Sequence, residues 1–418
     1  MIRKPAVMQM RAPQNPIWVG IDTTVFEGPM TGVANYCLHL MKANMERPNL
    51  SFVGFSTRNC QDFSKPELAR IEALNEKKCS ELPTFHPGRA WLRRCSFKVR
   101  SQLGRISAVR SIARGVRKVQ FGRQSRVALD LFHAFRYVPF ADVKAPVLPI
   151  VYDLSFVRYP DTHPKARLRE LSRLSLVIER APLIHTISEF SKREIIDHYG
   201  CSPEKIIVAP PAAADDFVPA GKDISATDLS RLGLKWRGYL LAVGTLEPRK
   251  NLRTIIDAYA RLPSAMARHC PMVIVGNKGW GSLDLPQQTS RLIREGSLRF
   301  LEGVPDWQLR SLYEGALALL YPSIYEGFGM PVVEAFACGT AVVHSQDTSM
   351  DEVTDGLARR IVSTDTESWK DALAELIDRA SEDDDVQQRV ARINQAQKFS
   401  WERSAAVVRE AYEVLAAR

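Results

Sequence analysis

Residues Tyr321–Thr340 read YPSIYEGFGMPVVEAFACGT, and this stretch decides the fold. The apolar run that leads into it predicts a buried strand. In the loop that follows, Gly327 and Gly329 leave room for another group to approach the backbone. Pro331 is typical of the first turn of a helix, and Gly339 is typical of the residue that ends one. A strand, a glycine loop and a helix N-terminus in this order indicate a site for a polar, often phosphorylated, ligand.

Two carboxylates stand on either side of the predicted turn. Glu326 lies in the loop, and Glu334 is expected in the first turn of the helix. Each feature has an ordinary explanation, because Glu334 would complement the positive end of the helix and the glycines would serve a turn. The combined stretch is far more specific than any one of its residues.

Glu326 and Glu334, with the seven residues GFGMPVV between them, resemble the paired-glutamate motif of the retaining GT-B glycosyltransferases. Those enzymes use nucleotide-diphosphate sugars as donors. Upstream, Gly244–Asn251 reads GTLEPRKN and resembles the other donor-site signature of the same family. The resemblance covers most of the chain from Trp18 onward, is strongest in the C-terminal half, and is absent from about residues 61–126.

Strand and helix patterns alternate along the chain, which predicts an α/β fold with parallel, doubly wound sheets. The resemblance implies the GT-B arrangement, in which two Rossmann-like domains face each other across a cleft. We expect an N-terminal acceptor-binding domain at residues 1–211, a linker of little periodicity at 212–236, and a nucleotide-sugar-binding domain at 237–398. Residues 399–418 are expected to form a helix that crosses back to the N-terminal domain.

The composition is that of an ordinary soluble protein. Of 418 residues, 45% are hydrophobic and 25% are charged, and no run of about 18 apolar residues occurs. The first residues lack the apolar core of a signal peptide. Seven scattered cysteines without a CxxC pair predict reduced thiols and a cytoplasmic protein. The net charge of +10 suggests an anionic partner.

One segment, residues 89–126, carries twelve basic residues and no aspartate or glutamate. Apolar residues recur within it at spacings of three and four, which suits an amphipathic helix. Such a segment can lie on an anionic membrane, and our preferred interpretation is peripheral contact with the inner face of the cytoplasmic membrane. A solvated basic helix face is the ordinary alternative. Nucleic acid is not expected, because no nucleic-acid-binding module surrounds the segment.

Arg249 and Lys250 follow a predicted strand and precede a predicted helix. Breaking the bond between a sugar and a diphosphate builds negative charge on the leaving oxygen, which Mg²⁺ or fixed cations must stabilise. No DxD motif is convincing as a metal site, since Asp383–Asp385 lies in a polar region typical of solvated surface. We therefore expect a reaction without metal or cofactor, in which Arg249 and Lys250 hold the diphosphate of the donor substrate. Two adjacent basic residues are otherwise most often surface charge.

The resemblance also implies roles for the other donor-site residues. Glu334 would bind the ribose hydroxyls, and Glu326 the hydroxyls of the transferred hexose. Gly32 would face the diphosphate across the cleft, although a glycine there would also merely permit a tight turn. The expected donor-binding set is Gly32, Gly244, Thr245, Arg249, Lys250, Val304, Glu326, Phe328, Gly329, Met330 and Glu334. The expected catalytic set is Arg249, Lys250, Glu326 and Asp153.

Three residues of the N-terminal half are candidates for the acceptor side. His133 and Asp153 come at predicted strand ends, and such ends face the cleft in parallel sheets. His133 would equally serve as an internal hydrogen-bonding residue, and Asp153 as a cap for the turn that follows it. Similar enzymes commonly have a histidine before the aspartate of an HDL-like motif, whereas this chain has Tyr152. The role of that histidine is therefore changed or is filled by Tyr152.

These features predict a glycosyltransferase that moves a hexose, with retention implied by the resemblance, to a lipid-linked or polysaccharide-precursor acceptor. GDP-mannose is the preferred donor, because GTLEPRKN and YDLSFVRYP resemble segments of bacterial mannosyltransferases of this family. A transferase that uses a UDP-sugar is the nearest alternative. From a different class, the chain would be a basic membrane- or nucleic-acid-binding protein with a vestigial sugar-nucleotide fold.

Overall fold

The computed structural model describes residues 16–27, 31–47, 49–56, 60–79, 84–85, 128–139, 143–277, 279, 281, 285–381 and 385–418. The basic segment predicted at residues 89–126 lies outside the described residues. The same is true of Asp383 and Asp384, which were predicted to be solvated surface.

Fourteen strands are present among the described residues, and they form two sheets of seven strands each. Their bounds are β1 Ile17–Asp22, β2 Leu50–Phe55, β3 Cys60–Asp62, β4 Thr84–Phe85, β5 Leu131–Ala134, β6 Val147–Val151, β7 Ile184–Thr186, β8 Ile206–Val208, β9 Leu240–Val243, β10 Met272–Val275, β11 Leu298–Glu302, β12 Leu319–Tyr321, β13 Val342–Ser345 and β14 Arg359–Ile361.

The first sheet has the strand order β3-β2-β1-β5-β6-β7-β8, and the second has the order β14-β13-β12-β9-β10-β11-β4. Within each sheet six strands run parallel, and one edge strand, β3 or β4, runs antiparallel to its neighbour. The predicted fold class, two doubly wound α/β sheets, is therefore confirmed. Strand β4 pairs with β11 of the second sheet although it belongs to residues 1–211.

Helices cover both faces of the sheets, so most strand residues are buried. Every residue of β10 and β12 is buried, as the continuous apolar runs of parallel strands require. The helices are α1 Gly32–Asn44, α2 Lys65–Cys79, α3 Ser155–Arg158, α4 Lys165–Leu171, α5 Leu174–Arg180, α6 Glu189–Tyr199, α7 Lys222–Arg231, α8 Leu252–Ala260, α9 Ser264–His269, α10 Thr289–Arg294, α11 Asp306–Glu314, α12 Met330–Ala337, α13 Ser349–Thr354, α14 Thr366–Asp378, α15 Val386–Ala396 and α16 Trp401–Ala416.

The segment predicted to be a linker of little periodicity, residues 212–236, contains helix α7. Helix α7 packs against α11. The buried carboxylate of Glu314, at the end of α11, accepts hydrogen bonds from the residues at the start of α7. Glu314 accepts hydrogen bonds from Ala220 N, Gly221 N and Ser225 Oγ at 2.9, 3.1 and 2.7 Å. The local pattern did not indicate this helix, whose start is held by contacts with a distant residue.

Helix α16 packs against α1 and so returns the end of the chain to the first sheet. Among the helices that the structure describes, none combines the length and the apolar character needed to cross a membrane.

Candidate functional site

The turn between β9 and α8 is shaped by two glycines. Gly244 has φ +150, and a Cβ on Gly276 would lie 1.9 Å from the carbonyl oxygen of Gly244. The backbone of the two strand ends is therefore in direct contact, and a side chain is excluded there. A short 3-10 helix, Pro248–Lys250, follows. It ends at Asn251, whose side chain donates to the carbonyl oxygens of Pro322 and Ser363 at 3.1 and 2.7 Å.

This turn brings the side chains of Arg249 and Lys250 to the carboxylate of Glu326, in the loop between β12 and α12. Arg249 Nη1 lies 3.0 Å from Glu326 Oε2, and Lys250 Nζ lies 2.6 Å from Glu326 Oε1. The other guanidinium nitrogen, Nη2, donates to Glu247 Oε1 at 2.7 Å. Lys250 Nζ also donates to the hydroxyl of Tyr321 at 2.7 Å. The structure thus unites three of the four predicted catalytic residues in one cluster.

The pKa shifts within the cluster differ in direction, because burial lowers the pKa of Lys250 although the Glu326 carboxylate opposes this. Burial opposes ionisation of Glu326, but the cations of Arg249 and Lys250 outweigh it and lower the pKa of this carboxyl to about 2. Burial lowers the pKa of Arg249, but nearby carboxylates, Glu326 first and Asp153 next, outweigh it and raise that pKa.

Glu334, the second carboxylate of the motif, lies on α12 and is half-buried. Helix α12 begins at Met330, so Glu334 belongs to its second turn and the expectation of the first turn was wrong. Tyr313 Oη donates to Glu334 Oε2 at 2.8 Å. Burial raises the pKa of Glu334 to about 7, although the hydrogen bond from Tyr313 opposes this. Its carboxylate is available to accept hydroxyl donors when it is ionised.

The loop that carries Glu326 leads into α12 through a glycine with a left-handed backbone conformation. Gly329 has φ +100 and precedes Met330, the first residue of α12. Pro331 has no N–H, and the N–H of Val332 donates to the carbonyl oxygen of Gly329 at 2.9 Å, so neither offers a backbone donor to a ligand. Phe328 itself is buried, and its ring packs edge-on against Phe399 at 5.2 Å between centroids. Its side chain therefore anchors the loop, and only its backbone can contact a ligand.

The same loop is docked onto the first domain. The carbonyl oxygen of Gly327 accepts from Ser188 Oγ at 2.6 Å and from Ser191 Oγ at 3.3 Å. Tyr325 Oη accepts from the backbone N–H of Leu154 at 3.0 Å. A Cβ on Gly327 would lie 2.3 Å from the carbonyl oxygen of Tyr152. The two domains thus meet at the backbone of the paired-glutamate motif.

A second contact joins the domains beside the first. Glu352 on α13 accepts hydrogen bonds from the backbone N–H groups of Glu189 and Phe190 at 3.1 and 2.9 Å. These are the first residues of α6, so a carboxylate of the second domain caps a helix of the first.

Asp153 lies at this junction, on the first domain. A Cβ on Gly327 would lie 2.9 Å from Asp153 Cβ, and the Asp153 charge raises the pKa of Arg249. Asp153 Oδ1 accepts hydrogen bonds from Tyr137 Oη and from the backbone and side chain of Ser155. The turn-capping role weighed above is therefore present, and the residue also borders the loop that carries Glu326.

His133 lies elsewhere. Its side chain is buried, and its Nδ1 lies 2.7 Å from Tyr412 Oη on α16. Its Nε2 lies 3.1 Å from His185 Nδ1, and His185 Nε2 lies 2.8 Å from Tyr36 Oη. Because Tyr36 donates to the carbonyl oxygen of Ala209, each group can donate to the next in one direction. The expectation that His133 faces the acceptor was wrong, and its internal hydrogen-bonding alternative applies.

Tyr152 does not take the place of a cleft histidine either. Its hydroxyl donates to the carbonyl oxygen of Phe135 at 3.0 Å and lies 3.3 Å from Cys37 Sγ. Its ring is buried against Tyr36 and Tyr137. The side chain points into the first core, so only its backbone carbonyl reaches the junction.

The remaining predicted residues lie on the loops around the strand ends. Gly32 is the first residue of α1, after the cap Thr31, and a Cβ there would meet nothing within 4 Å. The fold itself therefore does not demand glycine at this position. Thr245 is exposed beside Gly244, and Val304 is half-buried in the loop between β11 and α11.

Sequence reasoning missed several residues of the site. Tyr321 accepts a hydrogen bond from Lys250, and Tyr313 donates one to Glu334. Tyr325 accepts one from the backbone of the first domain. Position at the carboxyl end of a parallel strand could have indicated Tyr321. Within the described part of the chain, no group of three or more His, Cys, Asp or Glu side chains is arranged to hold a metal ion.

Comparison with known proteins identifies the architecture. Residues 233–399 match the family described as Glycosyl transferases group 1. The chain is 36% identical over 267 residues to O-antigen chain mannosyltransferase B of Escherichia coli, which covers 63% of this chain and 69% of that protein. It is 31% identical over 186 residues to the serotype-specific mannosyltransferase WbdA of Escherichia coli, which covers 42% of this chain and only 22% of that longer protein.

Two solved structures share the whole fold. HepE of Anabaena, in complex with UDP and glucose, has a TM-score of 0.64 and 17% identity, covering 95% of this chain and all of that one (100%). Sucrose-phosphate synthase of Thermosynechococcus elongatus has a TM-score of 0.69 and 15% identity, covering 96% and 99%. Together with the family match, these relationships confirm the resemblance seen in the motifs. The chain belongs to the group 1 glycosyltransferases and is an enzyme of the GT-B fold.

Proposed function

We propose that this enzyme transfers mannose from GDP-mannose to a lipid-linked or glycan acceptor in the synthesis of a cell-surface polysaccharide, with retention of the anomeric configuration. The observation that carries the proposal is the buried cluster of Arg249, Lys250 and Glu326 at the junction of the domains. The names of the relatives from Escherichia coli support mannose and a polysaccharide product.

The cluster suits departure of a diphosphate. As the sugar–oxygen bond breaks, negative charge grows on the leaving oxygen, and Arg249 and Lys250 provide two fixed cations in a site with little water. Glu326 would exchange its ion pairs for hydrogen bonds from hexose hydroxyls, since a carboxylate accepts several donors. If the acceptor attacks from the side on which the diphosphate leaves, configuration is retained. We propose that the protein supplies this charge without a metal ion.

Glu334 and the start of α12 suit the nucleotide. Two neighbouring ribose hydroxyls would donate to the carboxylate that Tyr313 holds at 2.8 Å. The loop residues Gly303 and Val304, at the carboxyl end of β11, would border the base.

Binding of GDP-mannose should weaken below neutral pH because of Glu334. Its pKa of about 7 means that the carboxyl is mostly protonated at pH 6 and mostly ionised at pH 8. Only the ionised form accepts both hydroxyls, so the dissociation constant should be about tenfold higher at pH 6 than at pH 8. Titration calorimetry at both pH values checks this. Glu334→Gln should remove most of the pH dependence, and an equal dependence in that variant would contradict the assignment.

A UDP-sugar is the alternative donor, and its support is that the similar HepE structure contains UDP and glucose. A donor screen decides between them. Purified enzyme would be incubated with GDP-mannose, UDP-glucose and UDP-galactose and with lipid-linked or glycan acceptors, and the product anomer would be determined by NMR. We expect turnover with GDP-mannose and a retained anomer. Turnover with UDP-sugars alone, or an inverted product, would overturn the donor or the stereochemical part of the proposal.

The basic segment at residues 89–126 suggests that the acceptor is met at an anionic membrane. Binding to anionic vesicles should then fall as salt rises, and neutral vesicles should bind poorly. Replacing Arg110, Arg114 and Arg117 with glutamine should weaken vesicle binding by about 1 kcal/mol per charge. Co-sedimentation across a salt series measures this. A parent enzyme that stays in the supernatant at low salt would end the membrane proposal and favour a solvated helix face.

A further inference from the structure

Three hydrogen bonds to one oxygen fix the orientation of the Asp153 carboxylate. Its Oδ1 accepts three hydrogen bonds, from Tyr137 Oη at 3.1 Å, Ser155 N at 3.0 Å and Ser155 Oγ at 2.8 Å. A carboxylate oxygen with three donors is saturated. The orientation of the other oxygen, Oδ2, therefore follows from that of the donors. Asp153 itself adjoins Gly327, the residue after Glu326, across the domain junction.

The side chain of Ser155 is itself in contact with a histidine. His163 Nε2 lies 3.0 Å from Ser155 Oγ. Because Ser155 uses its own proton for Asp153, it must accept from His163, so the histidine carries its proton on Nε2. The half-buried His163 follows the short 3-10 helix Pro160–Thr162, and its backbone N–H donates to the carbonyl oxygen of Pro160 at 3.0 Å.

His163 also lies within the field of the charged groups at the junction. Burial lowers its pKa, Asp153 opposes this, and the cations of Arg249 and Arg167 lower it further. The imidazole is therefore neutral near pH 7, which agrees with donation from one nitrogen. Arg167 in turn lies over the ring of Tyr137, with 5.2 Å from Cζ to the ring centroid. The two side chains that donate to Asp153 Oδ1, Tyr137 and Ser155, are thus each in contact with a further residue.

We propose that His163 is a positioning residue for sugar transfer, which acts through Ser155 to aim the Asp153 carboxylate at a hydroxyl of the transferred hexose. The inference rests on the proposed function and adds that the hexose bound by Glu326 also contacts Asp153, which adjoins Gly327 across the junction. The histidine sets the direction of the Ser155 hydroxyl proton. Without a donor behind it, Ser155 Oγ is free to rotate, and Asp153 loses one of its three restraints.

Tyr152 cannot carry this role, because its hydroxyl is used inside the core. His163 therefore supplies an imidazole next to Asp153 from a different place in the chain, ten positions further on. Its path to the site runs through Ser155 Oγ to Asp153 Oδ1, which can be tested separately from diphosphate binding.

The test compares His163→Ala, His163→Gln and Asp153→Ala with the exposed His198→Ala as a matched control. Free GDP and GDP-mannose are titrated by calorimetry, and kcat is measured with the donor and acceptor that the screen identifies. His163→Ala should leave GDP affinity unchanged, weaken GDP-mannose binding about tenfold and lower kcat, because the Ser155 hydroxyl loses its fixed direction and its hydrogen bond to the charged Asp153 weakens. His163→Gln should recover most of the loss, because its amide nitrogen can donate to Ser155.

Coupling decides whether His163 acts through Asp153. In the Asp153→Ala background, His163→Ala should have no further effect. Wild-type behaviour of His163→Ala, equal damage in His163→Gln, or an additive effect in the Asp153→Ala background would each overturn the inference while leaving the proposed function in place. If Asp153→Ala itself keeps full activity, both the inference and the proposed role of Asp153 fail. Thermal unfolding of each variant identifies any loss of folded protein.

Discussion

Replacing Lys250 with alanine should lower kcat by about a hundredfold or more, and replacing Arg249 with alanine should do the same. Both side chains contact Glu326 within 3.0 Å at the domain junction. In our account each stabilises charge that appears on the diphosphate only as the bond breaks. Loss of either cation should therefore reduce kcat more than it reduces ground-state affinity for the donor.

Steady-state kinetics with the preferred donor measure this effect, and Lys222→Ala on the exposed face of α7 is the matched control. Thermal unfolding must accompany the rates, since removal of one partner from a buried ion pair can destabilise the fold. A folded Lys250 or Arg249 variant with an unchanged kcat would remove that residue from the mechanism.

Replacing Gly327 with alanine should abolish most transfer while leaving nucleotide binding intact. The added Cβ would lie 2.3 Å from the carbonyl oxygen of Tyr152 and 2.9 Å from Asp153 Cβ. Backbone of the opposite domain cannot yield as a flexible side chain can, so the domains would be pushed apart. The donor-binding residues of the second domain would stay in place, but Asp153 and the acceptor side of the first domain would move away from them. A displacement of about 1 Å can lower the rate about a hundredfold.

Gly200→Ala provides the control for this change. Gly200 ends α6 with φ +64, and a Cβ there would meet nothing within 4 Å. It should cost about 1 kcal/mol of stability through backbone strain and leave kcat unchanged. Kinetics and GDP calorimetry on both variants give the comparison. Full activity of Gly327→Ala would show that the contact between the domains is not required for transfer.

Much of the fold follows from local pattern. Apolar runs such as Met272–Val275 are buried on both faces, so their position in the sequence predicts the strand bounds. The short strands β3 and β4, and β14 with two exposed arginines, carry no such signal.

The sequence predicts which residues belong to the site, but it does not predict which residues they contact. The paired glutamates and the Arg–Lys pair are short, specific motifs, whereas the direction of a strand residue depends on what packs against it. His133 binds Tyr412, which lies 279 positions away on the last helix. Similarly, Tyr152 turns inward because Phe135 and Cys37 offer it partners. Neither contact leaves a trace in the local sequence.

We propose that Glu334 binds the nucleotide and Glu326 the hexose, beside cations that need no metal. Calorimetric titration of GDP and GDP-mannose, in EDTA, into the wild-type enzyme, Glu326→Gln and Glu334→Gln tests this division of roles. Glu334→Gln should weaken GDP binding about tenfold, whereas Glu326→Gln should retain GDP affinity and lose the additional affinity that mannose provides. Equal losses of GDP affinity in the two variants, or no GDP binding in EDTA, would contradict the account.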